Sequence, residues 1–187
     1  MIEASRPTIW SIGHSTLSFE AFLALLREHG IQALADVRHF PSSTRAPWAD
    51  ARGLRETLPG VGFLYRPFVD LGGFRTARED SANLAMRNAG FRGYADHMGT
   101  EVFERALADL LSLARGSRTA IMCAEAVPWK CHRSLLSDAL VARGVQVVHI
   151  LGPGSSREHR MTAFAKVHGG RVTYPARRAK GLKRLRG

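Results

Sequence analysis

The sequence predicts an α/β protein: one domain with a mainly parallel five-stranded sheet flanked by helices. Short β-branched runs alternate with segments of helical period along most of the chain, and each run ends in a cluster of polar residues and glycine. Such alternation favours a parallel sheet joined by right-handed crossovers. A doubly wound, three-layer arrangement is the first expectation and an irregular partial barrel the second.

Thr8 to Ile12 (TIWSI) opens the pattern as a strand. Ser18 to His29 follows as a helix, because Phe19, Phe22, Leu23 and Leu26 share one face and Gly30 supplies a terminator. Ala33 to Val37 is the second strand, and the polar loop HFPSSTRAPWAD leads from it to a short helix around Ala51 to Thr57. Phe63 to Leu71 is the third strand. Pro67 inside it cannot donate to a ladder, which assigns the strand to a sheet edge or an irregular stretch.

No clean period runs from Gly72 to Gly99, so this stretch reads as a long functional loop with one or two helical turns. Structureless connections beyond about 15 residues are uncommon unless they are functional or disordered. Glu101 to Arg115 returns to a helix with Phe103, Ala106, Leu107, Leu110 and Leu111 on one stripe. Arg118 to Glu125 is a buried strand, Trp129 to Arg143 a helix closed by Gly144, and Val145 to Leu151 a fifth strand before the turn GPGSS. On that helix Cys131 aligns with the core residues Leu135 and Ala139, and His132 and Arg133 turn away.

The 187 residues include 27 Lys plus Arg against 16 Asp plus Glu, a formal charge of +11. Six of those charges lie in Arg177 to Gly187, where no acid stands. Residues 1–175 therefore read as a moderately basic single domain and 176–187 as a disordered basic tail, either solubilising or adding affinity for phosphate backbones through counterion release. With 45% hydrophobic and 23% charged residues the chain is neither collagenous nor disordered, and no apolar run approaches the roughly 18 residues of a membrane span. Two cysteines make no disulfide scaffold and no signal peptide opens the chain, so a reducing cytoplasm is expected.

Ligands of open parallel sheets bind at the carboxyl ends of the strands, which directs attention to the polar segments there. Cys123 ends one strand and precedes a predicted helix start bearing Lys130 and Arg133, surroundings that favour a nucleophilic thiolate and also an anion site. Cysteine phosphatases carry Arg six residues after the cysteine, where this chain has Trp129; the competing role of Cys123 is a small core residue. Glu125, two residues on, is a candidate acid or base, or a partner of Arg133 or Arg38. His14, in the turn GHST, is a candidate for proton transfer or a satisfied turn histidine.

Arg38 offers a planar fork to phosphate or carboxylate, and Asp36 on the same side would orient His14 or Arg133, bind a ligand hydroxyl, or join Arg38 in a structural network. Lys130, His132 and Arg133 complete the anion-binding candidates. Gly72 and Gly73 would admit a close backbone approach or close a turn, and Tyr94, with Phe91 and Met98, would stack on a planar group or pack the loop. A zinc set of His14, Cys123, Cys131 and His132 is conceivable, but the spacing of its cysteines matches no ribbon or knuckle, and no metal site is assigned. The Pro-Gly-Ser turn at Gly152 to Ser156 is a weak phosphate-loop candidate; Walker and Gly-x-Gly-x-x-Gly sequences are absent, and no cofactor is assigned.

The segments SIGHST, DVRHFPSS, DLGGFR, FRGYADHM and CAEAVPWKCHR resemble the bacterial and archaeal family catalogued as domain of unknown function 488, across residues 8–151. That resemblance implies an α/β fold with a shared polar site and implies no particular reaction. Two functions remain for the chain. One is an enzyme, a hydrolase or transferase with a cysteine- or carboxylate-centred site, acting on a phosphorylated or other anionic substrate such as a nucleotide or nucleic acid. The other is a non-catalytic nucleic-acid or nucleotide binding module. The oligomeric state is not legible.

Overall fold

The computed structural model describes residues 6–43 and 46–176, so the basic tail from Arg177 onward lies outside the described residues. The chain is a doubly wound α/β domain whose six-stranded sheet has the order β3-β2-β4-β1-β5-β6. Its five parallel strands are β1 (Thr8–Gly13), β2 (Ala33–Asp36), β3 (Leu64–Pro67), β4 (Thr119–Cys123) and β5 (Gln146–Gly152). The sheet is open, so the barrel alternative is set aside. No helix among the described residues is long and apolar enough to cross a membrane.

Strand alternation sends successive side chains to opposite faces, and each face meets its own helices. Trp10, Ile12, Leu34 and Met122 pack under α1 (Phe19–Glu28) and α2 (Ala51–Thr57) through Phe22, Leu26, Leu54 and Leu58. Ile9, Ala35, Ile121 and Val147 pack under α3 (Ala89–His97), α4 (Glu101–Gly116) and α5 (Arg133–Val141) through Tyr94, Phe103, Leu107 and Leu135. The chain leaves β1 toward β2 in one direction and leaves β4 toward β5 in the other. The carboxyl ends of the adjacent strands β1 and β4 thus form the topological switch point, where open α/β sheets place their ligands.

Several local expectations hold for the reasons given. The α1 face of Phe22, Leu23 and Leu26 is buried and Gly30 follows the helix at φ 61°, while Ser18 caps its start by accepting the Ala21 N–H at 3.2 Å. Pro67 lies on β3, an edge strand, where a missing donor costs nothing. Others need correction. The stretch from Gly72 to Gly99 contains α3, a helix of nine residues capped by Asn88, in place of one or two turns. The helix expected from Trp129 is a short 3-10 turn at Pro128–Lys130 followed by extended backbone at Cys131, and α5 begins only at Arg133. Proline opens the 3-10 turn, and the Arg133 N–H is capped by Cys131 Sγ at 3.3 Å.

The sheet also gains an antiparallel edge strand, β6 (Ser155–Glu158), which the polar, fully exposed sequence SSRE gave no period to reveal. The GPGSS turn is the hairpin joining β5 to β6, and its Gly154 N–H donates to the Glu28 carboxylate at 2.9 Å, so this amide is taken by protein. A small hairpin, β7 (Lys166–His168) and β8 (Arg171–Thr173), turns through Gly169 and Gly170 at φ 55° and 77°, as a two-residue loop demands.

One buried polar cluster fastens this C-terminal segment to the sheet. The Asp138 carboxylate on α5 accepts from His159 Nε2 at 2.8 Å, Thr162 N–H at 2.9 Å and Tyr174 Oη at 2.8 Å. His159 Nδ1 lies 3.0 Å from His149 Nε2 on β5. Burial, with His159, Arg133 and Arg157 nearby, pushes the His149 pKa from 6.5 down to about 3. The unfolded chain takes up a proton below pH 6.5 that the folded imidazole refuses, so this stabilisation is complete above that pH and is lost as pH falls toward 3. Burial lowers His14 and His97 as well, adding in the same direction. Melting temperature is therefore expected to drop across that acid window, and His149→Phe to flatten the drop; an unchanged slope in the variant contradicts the assignment.

Candidate active site at the strand ends

A cleft of about 380 Å³ opens over the ends of β4 and β2, lined by Arg38, His39, Phe40, Gly73, Phe74, Asn88, Phe91, Tyr94, Cys123, Glu125, Lys130, Cys131 and His132 among others. Two larger hollows, of about 450 and 680 Å³, carry no cysteine or histidine. Most of the residues singled out from the sequence thus converge on one cleft. His14, Asp36, Gly72 and Arg133 do not line it; they lie behind or beside it.

Cys123 ends β4 opposite Gly13, and the chain beyond it is pinned by His14 and Ser15, whose N–H groups donate to Cys123 O and Ala124 O at 3.0 Å each. A side chain at Gly13 would stand 1.8 Å from Glu125 O, so glycine is what lets this loop fold back over β1. That return brings Cys131 and His132 to Cys123. The two sulfurs and a ring nitrogen of His132 all lie within 4.8 Å of one another, and both cysteines are free. His132 Nε2 donates to Val37 O at 2.8 Å, which fixes the tautomer and leaves Nδ1 with its lone pair. The ring fits because residue 73 is glycine: a Cβ there would lie 3.0 Å from Nδ1.

Arg133 is fully buried and makes no ion pair with a carboxylate among the described residues. Its Nε donates to Cys131 Sγ at 3.3 Å, one terminal nitrogen to Ser11 Oγ at 3.1 Å, and the other to the Glu125 and Ala126 carbonyls. The expectation that His132 and Arg133 turn away from Cys131 is therefore overturned, because no helix precedes Arg133 to set that angle. Hydrogen bonding from Cys131, with the Arg133 charge, draws the Cys123 thiol well below the ordinary range against the push of burial. Cys131 is held up by its bond to Cys123 and by burial. The Arg133 contacts on Cys131 pull in the other sense, so the two sulfurs titrate as a pair in which one proton leaves easily.

The neighbouring polar groups are turned inward. Asp36 accepts Arg38 Nε at 2.8 Å, the other arm of its fork at 2.6 Å, and Tyr65 Oη at 2.7 Å. Arg38 also donates to Ala49 O at 2.7 Å and to His14 Nε2 at 3.4 Å, so its fork is spent on protein. His14 is buried, and burial first and Arg38 second lower its pKa, which keeps the ring neutral. Tyr94 Oη donates to Leu71 O at 2.9 Å, leaving its ring to form a wall beside His132. Gly72 accommodates the His39 backbone, which a Cβ would meet at 2.6 Å, so its close approach is to protein. Met98 belongs to the core.

Glu125 and Lys130 are exposed at the rim, and Glu125 pairs with neither Arg133 nor Arg38; its carbonyl takes that contact. Among the lining residues that sequence reasoning missed, three bear on ligand contact. Phe40 and Phe74, 64% and 84% exposed with centroids 5.8 Å apart, form an aromatic lip, and Phe74 holds a φ of 57°. His39 Nδ1 is buried without a partner among the described residues. The visible signal was the phenylalanine directly after each polar strand-end segment, RHF and GGF.

In chelator-dialysed protein, iodoacetamide alkylation is expected to follow an apparent thiol pKa below the ordinary 8.5 or so, and Arg133→Met to raise it. A titration at the ordinary value in both proteins contradicts the charge assignment.

Comparison with curated proteins and with solved structures finds no match. The family model Domain of unknown function DUF488 matches residues 18–140, which span α1 to α5 and include every cleft residue named above. The chain belongs to the DUF488 family.

Proposed function

We propose that the protein is an enzyme, a hydrolase or group transferase, acting on a phosphorylated or otherwise anionic substrate with a planar part, such as a nucleotide. The observation that carries this reading is the make-up of the strand-end cleft. Buried Cys123 and Cys131 with half-buried His132 form its floor, an exposed aromatic pair its lip, and Lys130 and Glu125, without an ion pair among the described residues, its rim.

The roles follow from what each side chain has left to offer. Every guanidinium nitrogen of Arg38 and Arg133 already has a protein acceptor, so Lys130 makes the direct contact with the substrate's negative group. Phe40 and Phe74 take the planar part, since aromatic faces stack on any ring. Glu125 serves as general acid or base, and the Cys123 cluster is the reacting centre. His14, Asp36 and Arg133 act as positioning residues beneath it.

Calorimetry with inorganic phosphate and mononucleotides, followed by turnover on the ligands that bind, tests the reading. Glu125→Gln is expected to lower kcat by about 10²- to 10⁴-fold, the range for a lost acid-base group. Lys130→Ala and Phe74→Ala are expected to raise KM with a smaller change in kcat. A wild-type protein that binds none of these anions contradicts the proposal. Binding without turnover, with Glu125→Gln silent, makes the protein a binding module instead.

A further inference from the structure

We propose that Cys123, Cys131 and His132 are the ligands of a zinc ion whose fourth position opens into the strand-end cleft. Two thiolates and an imidazole are the soft and borderline donors that zinc takes, and three protein ligands with one open position is the pattern of zinc sites that act on a substrate. Zinc bonds of about 2.3 Å to sulfur and 2.0 Å to nitrogen place tetrahedral donors roughly 3.5 to 3.8 Å apart. The three donors already lie within 4.8 Å of one another, so a small contraction closes the site. The same three residues line the cleft, and no other His, Cys, Asp or Glu joins the group among the described residues, which leaves the fourth position to solvent or substrate.

The surroundings are those of a ligand set. Val37 O holds His132 Nε2–H and so presents Nδ1 unprotonated, the backbone counterpart of the carboxylate that often orients a zinc-bound histidine. Arg133 directs its backbone N–H and its Nε at Cys131 Sγ, both at 3.3 Å. Gly73 leaves room for the imidazole ring. Charge also balances: zinc with two thiolates and a bound hydroxide carries one net negative charge, which the buried, carboxylate-free Arg133 offsets. The spacing of Cys123 and Cys131 hides the site, because the two residues approach each other across a folded loop rather than a knuckle.

The role of the metal rests on the enzyme reading, whereas the site does not. A zinc-bound water loses its proton near neutral pH, and Glu125 stands on the same cleft to receive it.

The full chain, treated with chelator and titrated with cobalt(II), is expected to bind one equivalent with thiolate-to-cobalt charge transfer and the strong visible bands of a tetrahedral ion. Zinc is expected to displace it and to protect both cysteines from iodoacetamide. Cys123→Ser and His132→Ala are each expected to weaken binding by more than about 100-fold, since even outer contacts of such sites are worth 10- to 100-fold. Glu125→Gln is expected to keep the metal. A wild-type protein with no thiolate-to-cobalt band overturns the proposal, as does an undiminished band in Cys123→Ser. If that variant fails to fold, wild-type thiols alkylated as fast with zinc as without it are decisive against the site. A metal-binding protein that takes up no phosphate or nucleotide sinks the enzyme reading alone; anion binding without the cobalt band sinks the zinc site alone.

Discussion

A guanidinium buried without a carboxylate is the constraint on which the strand-end architecture depends. An isolated buried charge costs several kcal/mol even after relaxation, so each guanidinium nitrogen of Arg133 needs a partner. The structure meets them with Cys131 Sγ, Ser11 Oγ and the carbonyls of Glu125 and Ala126. Those partners come from β1, from the loop after β4 and from the turn before α5, and Arg133 binds the three together. The loop must then cross Gly13, where only a hydrogen fits beneath Glu125 O. Cys131 and His132 are delivered to Cys123 as a consequence.

A second network, Asp36 with Arg38 and Tyr65, does the corresponding work below β2. It absorbs an arginine that would otherwise offer a planar fork to an anion, and it holds His14 neutral beside it. Buried cations shape the cleft, and the Arg133 charge pulls both sulfurs toward the thiolate, whereas Lys130, Glu125, Phe40 and Phe74 are the exposed side chains on its walls. A formal charge of +11 is therefore a poor guide to where an anion would be held.

The parallel sheet was legible because each of its strands is a short apolar run ending in polar residues, and Pro67 correctly marked an edge. β6 was not, since an exposed edge strand of SSRE buries nothing that could impose a period. The strand-end rule grouped Cys123, Glu125, Lys130 and His132, which line one cleft. It failed at Arg133, whose type implies solvent and whose environment is the interior. Helical periodicity placed Cys131 in the interior, where it lies, but misled for His132 and Arg133, because Pro128 and an extended residue replace the first turn and an angle of about 100° per residue has no meaning there.

The pairing of Arg133 with Cys131 is most directly tested by a double-mutant cycle in chelator-treated protein. Denaturant unfolding of Arg133→Met, Cys131→Ala and the double variant yields the coupling between the two side chains. Groups in direct contact couple by about 0.5 to 3 kcal/mol, and a value in the upper part of that range is expected for a buried charge resting on a sulfur. Losses that add within about 0.5 kcal/mol would mean that the guanidinium and the thiol act independently, and the account of the site would fall with them.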